Sequence, residues 1–204
     1  SRYFPSWAAH LSGRGIPRWS IGASFVVGAL MLLPFPGWAQ LVNFITSASA
    51  LMYAFAPLSL AVLRRQDPDR HRPYRLRGAA VWAPVGFVLA NLIFYWGGWT
   101  TDWRLLAAVG IGGVALAATR AAKPAAERPP VDWPHSWWVL PWLAGLGLIS
   151  AFGQYSSISP VIPFWVDLGV VAAWSLIIYA LAVTVRLPAS QATAYVEETA
   201  AEMG

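Results

Sequence analysis

Between Trp19 and Leu63 the chain reads WSIGASFVVGALMLLPFPGWAQLVNFITSASALMYAFAPLSLAVL, forty-five residues without an Asp, Glu, Lys, Arg or His. A soluble helix keeps a charged face at helical spacing, and this stretch has none on any side. A bilayer core takes about 20 apolar residues per helix, so the run holds two crossings. The cluster Pro34, Phe35, Pro36, Gly37 and Trp38 divides it into spans at roughly 19–35 and 39–63.

The same pattern continues along the 204 residues, of which 57% are apolar and 11% charged. An ordinary soluble domain carries about a quarter charged residues. Val81 to Thr101 is uncharged for twenty-one residues, and after Asp102 and Arg104 the run from Leu105 to Thr119 adds fifteen more. Ser136 to Val166 is again free of charge, interrupted around Gly153 to Pro163, and Leu168 to Val185 supplies a last run of eighteen. The expectation is an all-α polytopic integral membrane protein with six transmembrane helices. No cleavable leader pattern precedes Trp19. With no cysteine, the chain has no disulfide framework.

Orientation follows from the stretch LRRQDPDRHRPYRLRG, Leu63 to Gly78, which holds six of the fourteen basic residues. In isolation it resembles a nucleic-acid patch. Between two uncharged spans it is instead a topogenic loop, and no nucleic-acid partner is expected. Loop by loop, Lys and Arg number 3, 0, 6, 1, 3, 0 and 1. Basic loops stay cytoplasmic, so both ends of the chain and the arginine loop are expected inside a cytoplasmic membrane. The loop's charge also suits anionic inner-leaflet lipids. Pro68 and Pro73 stop a helix from running through it. Most tryptophans, among them Trp38, Trp82, Trp133, Trp138 and Trp165, fall near span ends, as interface residues do. Trp142 and Trp174 lie deeper and are expected to pack between helices. Gly22, Gly28, Gly110, Gly113, Gly169 and Ala173 are expected to let helices approach closely.

Little chemistry is visible. His10, His71 and His135 lie in loops without metal-ligand spacing, and Asp67 and Asp69 sit among arginines as local ion pairs or caps. No nucleophile, base and electrophile converge, so no enzyme, cofactor or metal is expected. No ionisable residue occupies the middle of a span, so proton or ion coupling is not expected from these six helices. Polar residues at depth are Asn43, Thr46, Ser47, Ser49 and Tyr53 in the second span and Asn91 in the third. Asn43, Ser47 and Ala50 share one helix face, suited either to interhelical bonding or to lining a cavity.

Several stretches resemble the amino acid-polyamine-organocation superfamily, the amino-acid permeases. YFPSWAAHLSGRGIPRWSI resembles the cytoplasmic loop into their ninth helix. WAQLVNFITSASALMYAFAPLSLAVLRR resembles their tenth, and PDRHRPYRLRG with PVGFVLANLIFYWGGW resembles the join to the eleventh and that helix. The resemblance covers residues 1 to about 120, and the last two spans resemble the extra pair of fourteen-helix members. It implies the C-terminal part of a LeuT-like inverted-repeat transporter. Residues 1–18 would be a cytoplasmic lead-in, 19–120 four helices matching nine to twelve, and 121–135 a cytoplasmic linker. Residues 136–187 would be two further helices and 188–204 a cytoplasmic tail. The main substrate-binding helices, N-terminal to this chain, would be missing, and the start in a loop without Met fits a fragment.

The implied function is secondary transport of amino acids or related amines, with the coupling ion unspecified. Asn43, Thr46, Ser47, Ser49 and Tyr53 would border the substrate path. A six-helix scaffold or subunit, or half of another transporter type, remains the alternative. The topology has a direct check. A reporter that is active only outside the cytoplasm, fused in the full-length protein at Gly153, should be active; fused after Gln66 it should be silent.

Overall fold

Every element of the structure is helical, and no strand occurs among the described residues. This computed structural model describes residues 18–32, 37–68, 71, 74–122, 132–158 and 161–188. The lead-in segment before Arg18 with His10, the loop positions Asp69, Arg70, Arg72 and Pro73, linker residues 123–131 and the tail from 189 lie outside them. In chain order the helices are α1 (Arg18–Leu32), α2 (Trp38–Tyr53), α3 (Phe55–Gln66), α4 (Ala79–Trp96), α5 (Trp99–Ala122), α6 (Trp133–Ser136), α7 (Val139–Phe152) and α8 (Phe164–Thr184).

α2 and α3 form one apolar rod interrupted at Ala54. Pro57 has no N–H to offer the carbonyl of Tyr53, and its ring crowds that carbonyl, so the ladder breaks there. α6 is a single turn leading into α7 through Trp137 and Trp138. Counted this way, the described residues contain the six expected rods. Four are long and apolar enough to cross a membrane: Trp38–Gln66, Ala79–Trp96, Trp99–Ala122 and Phe164–Thr184. α1 and α7, of 15 and 14 residues, are shorter than the roughly 20 that a bilayer core requires.

One boundary falls earlier than charge alone suggests. The turn between α4 and α5 is made by Gly97 and Gly98, not by the region of Asp102 and Arg104. Gly98 has φ of 76°, a left-handed conformation that favours glycine. Its carbonyl accepts from the N–H groups of Thr101 and Asp102, both at 2.9 Å. Asp102 therefore sits in the first turn of α5, inside the span.

α4 is the central helix, packed on α2, α3 and α8. Its buried residues, Ala79, Ala83, Phe87, Ala90, Asn91, Phe94 and Tyr95, recur at steps of three and four along one stripe. The opposite side is as apolar, with Leu89 and Ile93 exposed. At the core Trp142 has no exposed surface. Phe55 meets it edge-on at 5.4 Å between ring centroids, with Phe87 at 5.5 Å and Trp138 at 5.8 Å. Trp174 packs against the same core and donates from Nε1 to the Trp142 carbonyl at 3.4 Å.

Two packing expectations need correction. Trp138 is buried rather than at the surface with Trp38, Trp82, Trp133 and Trp165, and its Nε1 donates to the His135 carbonyl at 3.1 Å. Gly22, Gly28, Gly110, Gly113 and Gly169 face open space, and Ala173 is exposed. Small residues are visible in a sequence, but which side of an all-apolar helix turns inward is not. Close approach occurs instead at Gly145, where a Cβ would overlap the Trp174 indole. Gly145→Val should therefore destabilise the full-length protein by about 1–3 kcal/mol, the usual cost of overpacking, read as a lower melting temperature in detergent.

Candidate functional site

The polar groups of this bundle are concentrated where α2, α4, α5, α7 and α8 meet. Among the described residues, seven buried ones are polar or charged: Ser47, Asn91, Thr101, Asp102, Ser150, Asp167 and Ser175. All but Thr101 form three groups, differing in how completely they are bonded.

The first group is closed. Asn91, midway along α4, donates from Nδ2 to Ser175 Oγ at 2.9 Å and accepts at Oδ1 from Trp142 Nε1 at 3.2 Å. Ser175 passes its own hydroxyl proton to the Val171 carbonyl at 2.6 Å. One amide thus joins α4 to α7 and α8, with its polar atoms satisfied as a low-dielectric interior requires.

The second group centres on Asp102. Its Oδ2 accepts from Ser150 Oγ of α7 at 2.6 Å, while Oδ1 has no hydrogen-bond partner. Ser47 Oγ of α2 is also buried and unpartnered. Both atoms border the position that a Cβ on Gly97 would occupy. The third group is Asp167 of α8. Its Oδ2 accepts from the Tyr95 hydroxyl and from the backbone N–H of Gln154, the latter at 2.5 Å, and its Oδ1 is unpartnered. Trp99 N–H reaches the Tyr155 carbonyl at 3.4 Å, joining the α4–α5 turn to the α7–α8 loop at this end of the bundle. Among the described residues neither carboxylate makes an ion pair, and no three His, Cys, Asp or Glu side chains come together as metal ligands.

The opposite end of the bundle is held differently. Arg64 donates to the Leu76 carbonyl at 3.1 Å, and Gln66 Nε2 to that of Leu187 at 2.5 Å. His135 pairs with Asp132 at 2.8 Å. A cavity of about 250 Å³ lies among Ala61, Arg64, Arg65, Ala79, Ala80 and Tyr179.

Of the five candidates along the second span, only Ser47 is buried, against Gly97 and near Asp102. Ser49 is half-buried, and Asn43, Thr46 and Tyr53 are exposed on the outer side of α2. The structure separates Ser47 from the rest of the stripe. The two buried carboxylates are what sequence reasoning missed. Counting uncharged runs treats Asp102 and Asp167 as boundaries, whereas both lie in the first turn of a spanning helix. The signal was present in Gly97-Gly98, which sets the start of α5 before Asp102.

The chain is 33% identical over 175 residues to the aspartate-proton symporter of Bacillus subtilis (strain 168), a match covering 85% of this chain and 34% of that protein. That relative is an amino-acid transporter of the amino acid-polyamine-organocation type. A second relative from the same organism, the glutamate/serine transporter AimA, is 34% identical over 113 residues, which is 55% of this chain and 21% of that protein. The chain therefore spans about a third or less of the length of the curated relatives it matches. No family model matches the chain, and no solved structure does either. With its apolar rods, this is a multi-pass membrane protein similar to amino-acid transporters.

The Tyr95 to Asp167 bond is open to test. Tyr95→Phe removes a donor from a buried acid and should lower the stability of the full-length protein by about 1–3 kcal/mol, seen as a reduced melting temperature without loss of helical circular dichroism.

Proposed function

We propose that this chain is the C-terminal part of a secondary active transporter of amino acids or related amines in the cytoplasmic membrane. The observation that carries this is the match to the aspartate-proton symporter along 85% of the chain. The helices described here act as the scaffold flank of the transport unit, and α2 with α3 corresponds to the tenth helix of the permeases. The substrate is held mainly by helices N-terminal to this chain, and transport proceeds by rocking one helix bundle against another around a midplane site. Both ends of the chain and the arginine loop lie on the cytoplasmic side, which the distribution of Lys and Arg supports. The protein is not an enzyme in this proposal.

The outer face of α2 supports the same assignment. Asn43 and Thr46 are exposed on this chain. A polar side chain within the bilayer needs a partner from another helix or from a water-filled path. Helices carried by the rest of the protein cover that face, and the substrate path runs along it.

Uptake by the full-length protein in proteoliposomes, measured against a panel of radiolabelled amino acids, tests the function. One or more acidic or small polar amino acids should accumulate. Asn43→Ala should raise KM or lower kcat for the transported substrate while the protein remains folded and inserted. Wild-type kinetics in that variant would remove Asn43 from the path.

A further inference from the structure

We propose that Asp102 is a proton-binding site of the transport cycle: its open Oδ1, beside Ser47 Oγ, takes up and releases a proton. This rests on the transporter function proposed above. Asp102 and Ser47 are 0% and 1% exposed, and each keeps one oxygen without a partner. Those two atoms flank one point, the position of an absent Cβ on Gly97, with the Phe94 carbonyl oxygen 3.0 Å from it. A proton on Oδ1 gives that oxygen a bond of its own, and the neighbouring Ser47 hydroxyl can serve it as acceptor or as donor. Protonation also removes the charge of a buried carboxylate, which is costly to keep unpaired.

Among the described residues, the groups shown bordering Asp102 carry no positive charge. α2 presents Ser47, α4 presents Gly97 and the Phe94 carbonyl, and α7 presents Ser150. The other titratable groups at this end are Asp167 and Tyr95, bonded to each other, and Tyr155, whose ring packs on Tyr95 at 5.5 Å. Arg104 lies over the Trp103 ring at 5.6 Å. Both protonation states have support. The anion accepts from Ser150 and sits at the N-terminus of α5, where the helix dipole favours negative charge. The acid has Ser47 as its acceptor.

The balance is simple. One proton from water forms the O–H bond at Oδ1 and neutralises the carboxylate; its release to water restores the charge, toward which the Ser150 and Ser47 hydroxyls can donate. Ser47 is next to Thr46 and one turn from Asn43 on α2. Gain or loss of the Asp102 charge is therefore felt at the helix that carries the outward polar face. The relative's name, an aspartate-proton symporter, identifies a proton as that protein's coupled ion.

The experiment uses the full-length protein in liposomes, with infrared difference spectra across a pH titration and amino-acid flux in the same preparations. Wild type should show the carbonyl stretch of a protonated carboxylic acid, and Asp102→Asn should lose it. Asp102→Asn should keep substrate counterflow but lose accumulation driven by a pH gradient. Ser47→Ala should shift the pH profile of uptake, and Ser47→Thr should restore it. An unchanged carbonyl band in Asp102→Asn, an unchanged pH profile in a folded Ser47→Ala, or accumulation that follows a sodium gradient instead would each overturn the proposal. Should Asp102→Asn fail to fold, the two Ser47 variants decide. If wild type exchanges no amino acid, the transporter function fails, while the infrared band still decides whether Asp102 holds the proton.

Discussion

Lipid tails are as apolar as leucine, so burying one leucine against another does not tell a membrane helix which neighbour to choose. Choice has to come from fit and from polar groups that cannot be left unbonded. Asn91 carries that role here, because its amide binds a hydroxyl on α8 and an indole on α7 at once. Fit follows from the same node. Trp142, held by Asn91, presents its ring to Phe55 and Phe87, while Gly145 on the same helix leaves room for Trp174. Interhelical hydrogen bonds of this kind average about 0.6 kcal/mol each. Their weight lies less in energy than in fixing which faces meet.

That constraint also explains how much could be read from the sequence. Charge-free runs marked the rods, since a bilayer selects on length and polarity. Pro57 and the Gly97-Gly98 pair marked a break and a turn through backbone chemistry alone. The inward face of each rod was hidden, because lipid-facing and buried positions of α4 are equally apolar. This is why Gly110 and Gly113 look like packing positions and face open space. Asp102 and Asp167 were hidden for a different reason: an acid at the edge of an apolar run reads as the end of a span, and only the neighbouring chain shows it to be enclosed.

The candidate site was legible in part. Ser47 was marked by its place in a polar stripe, and the structure puts it against a carboxylate that no spacing within α2 could indicate. Asn43 and Thr46 lie on the side of α2 turned away from the described helices. A polar side chain within a bilayer calls for a partner helix or water, and the described helices supply neither to this face.

The interruption at Ala54 separates α2 from α3 within one rod. Ser47 lies on one side of it, while Arg64 and Arg65 lie on the other, with Arg64 and Gln66 bonded to backbone at the far end of the bundle. A continuous helix transmits a tilt along its whole length. At the joint Ala54 keeps helical torsions, φ −58° and ψ −27°, and its N–H still bonds the Ala50 carbonyl at 3.0 Å, so the rod runs on despite the missing bond. Ser47 beside Asp102 and the arginines at the far end are thus carried by one span of 29 residues.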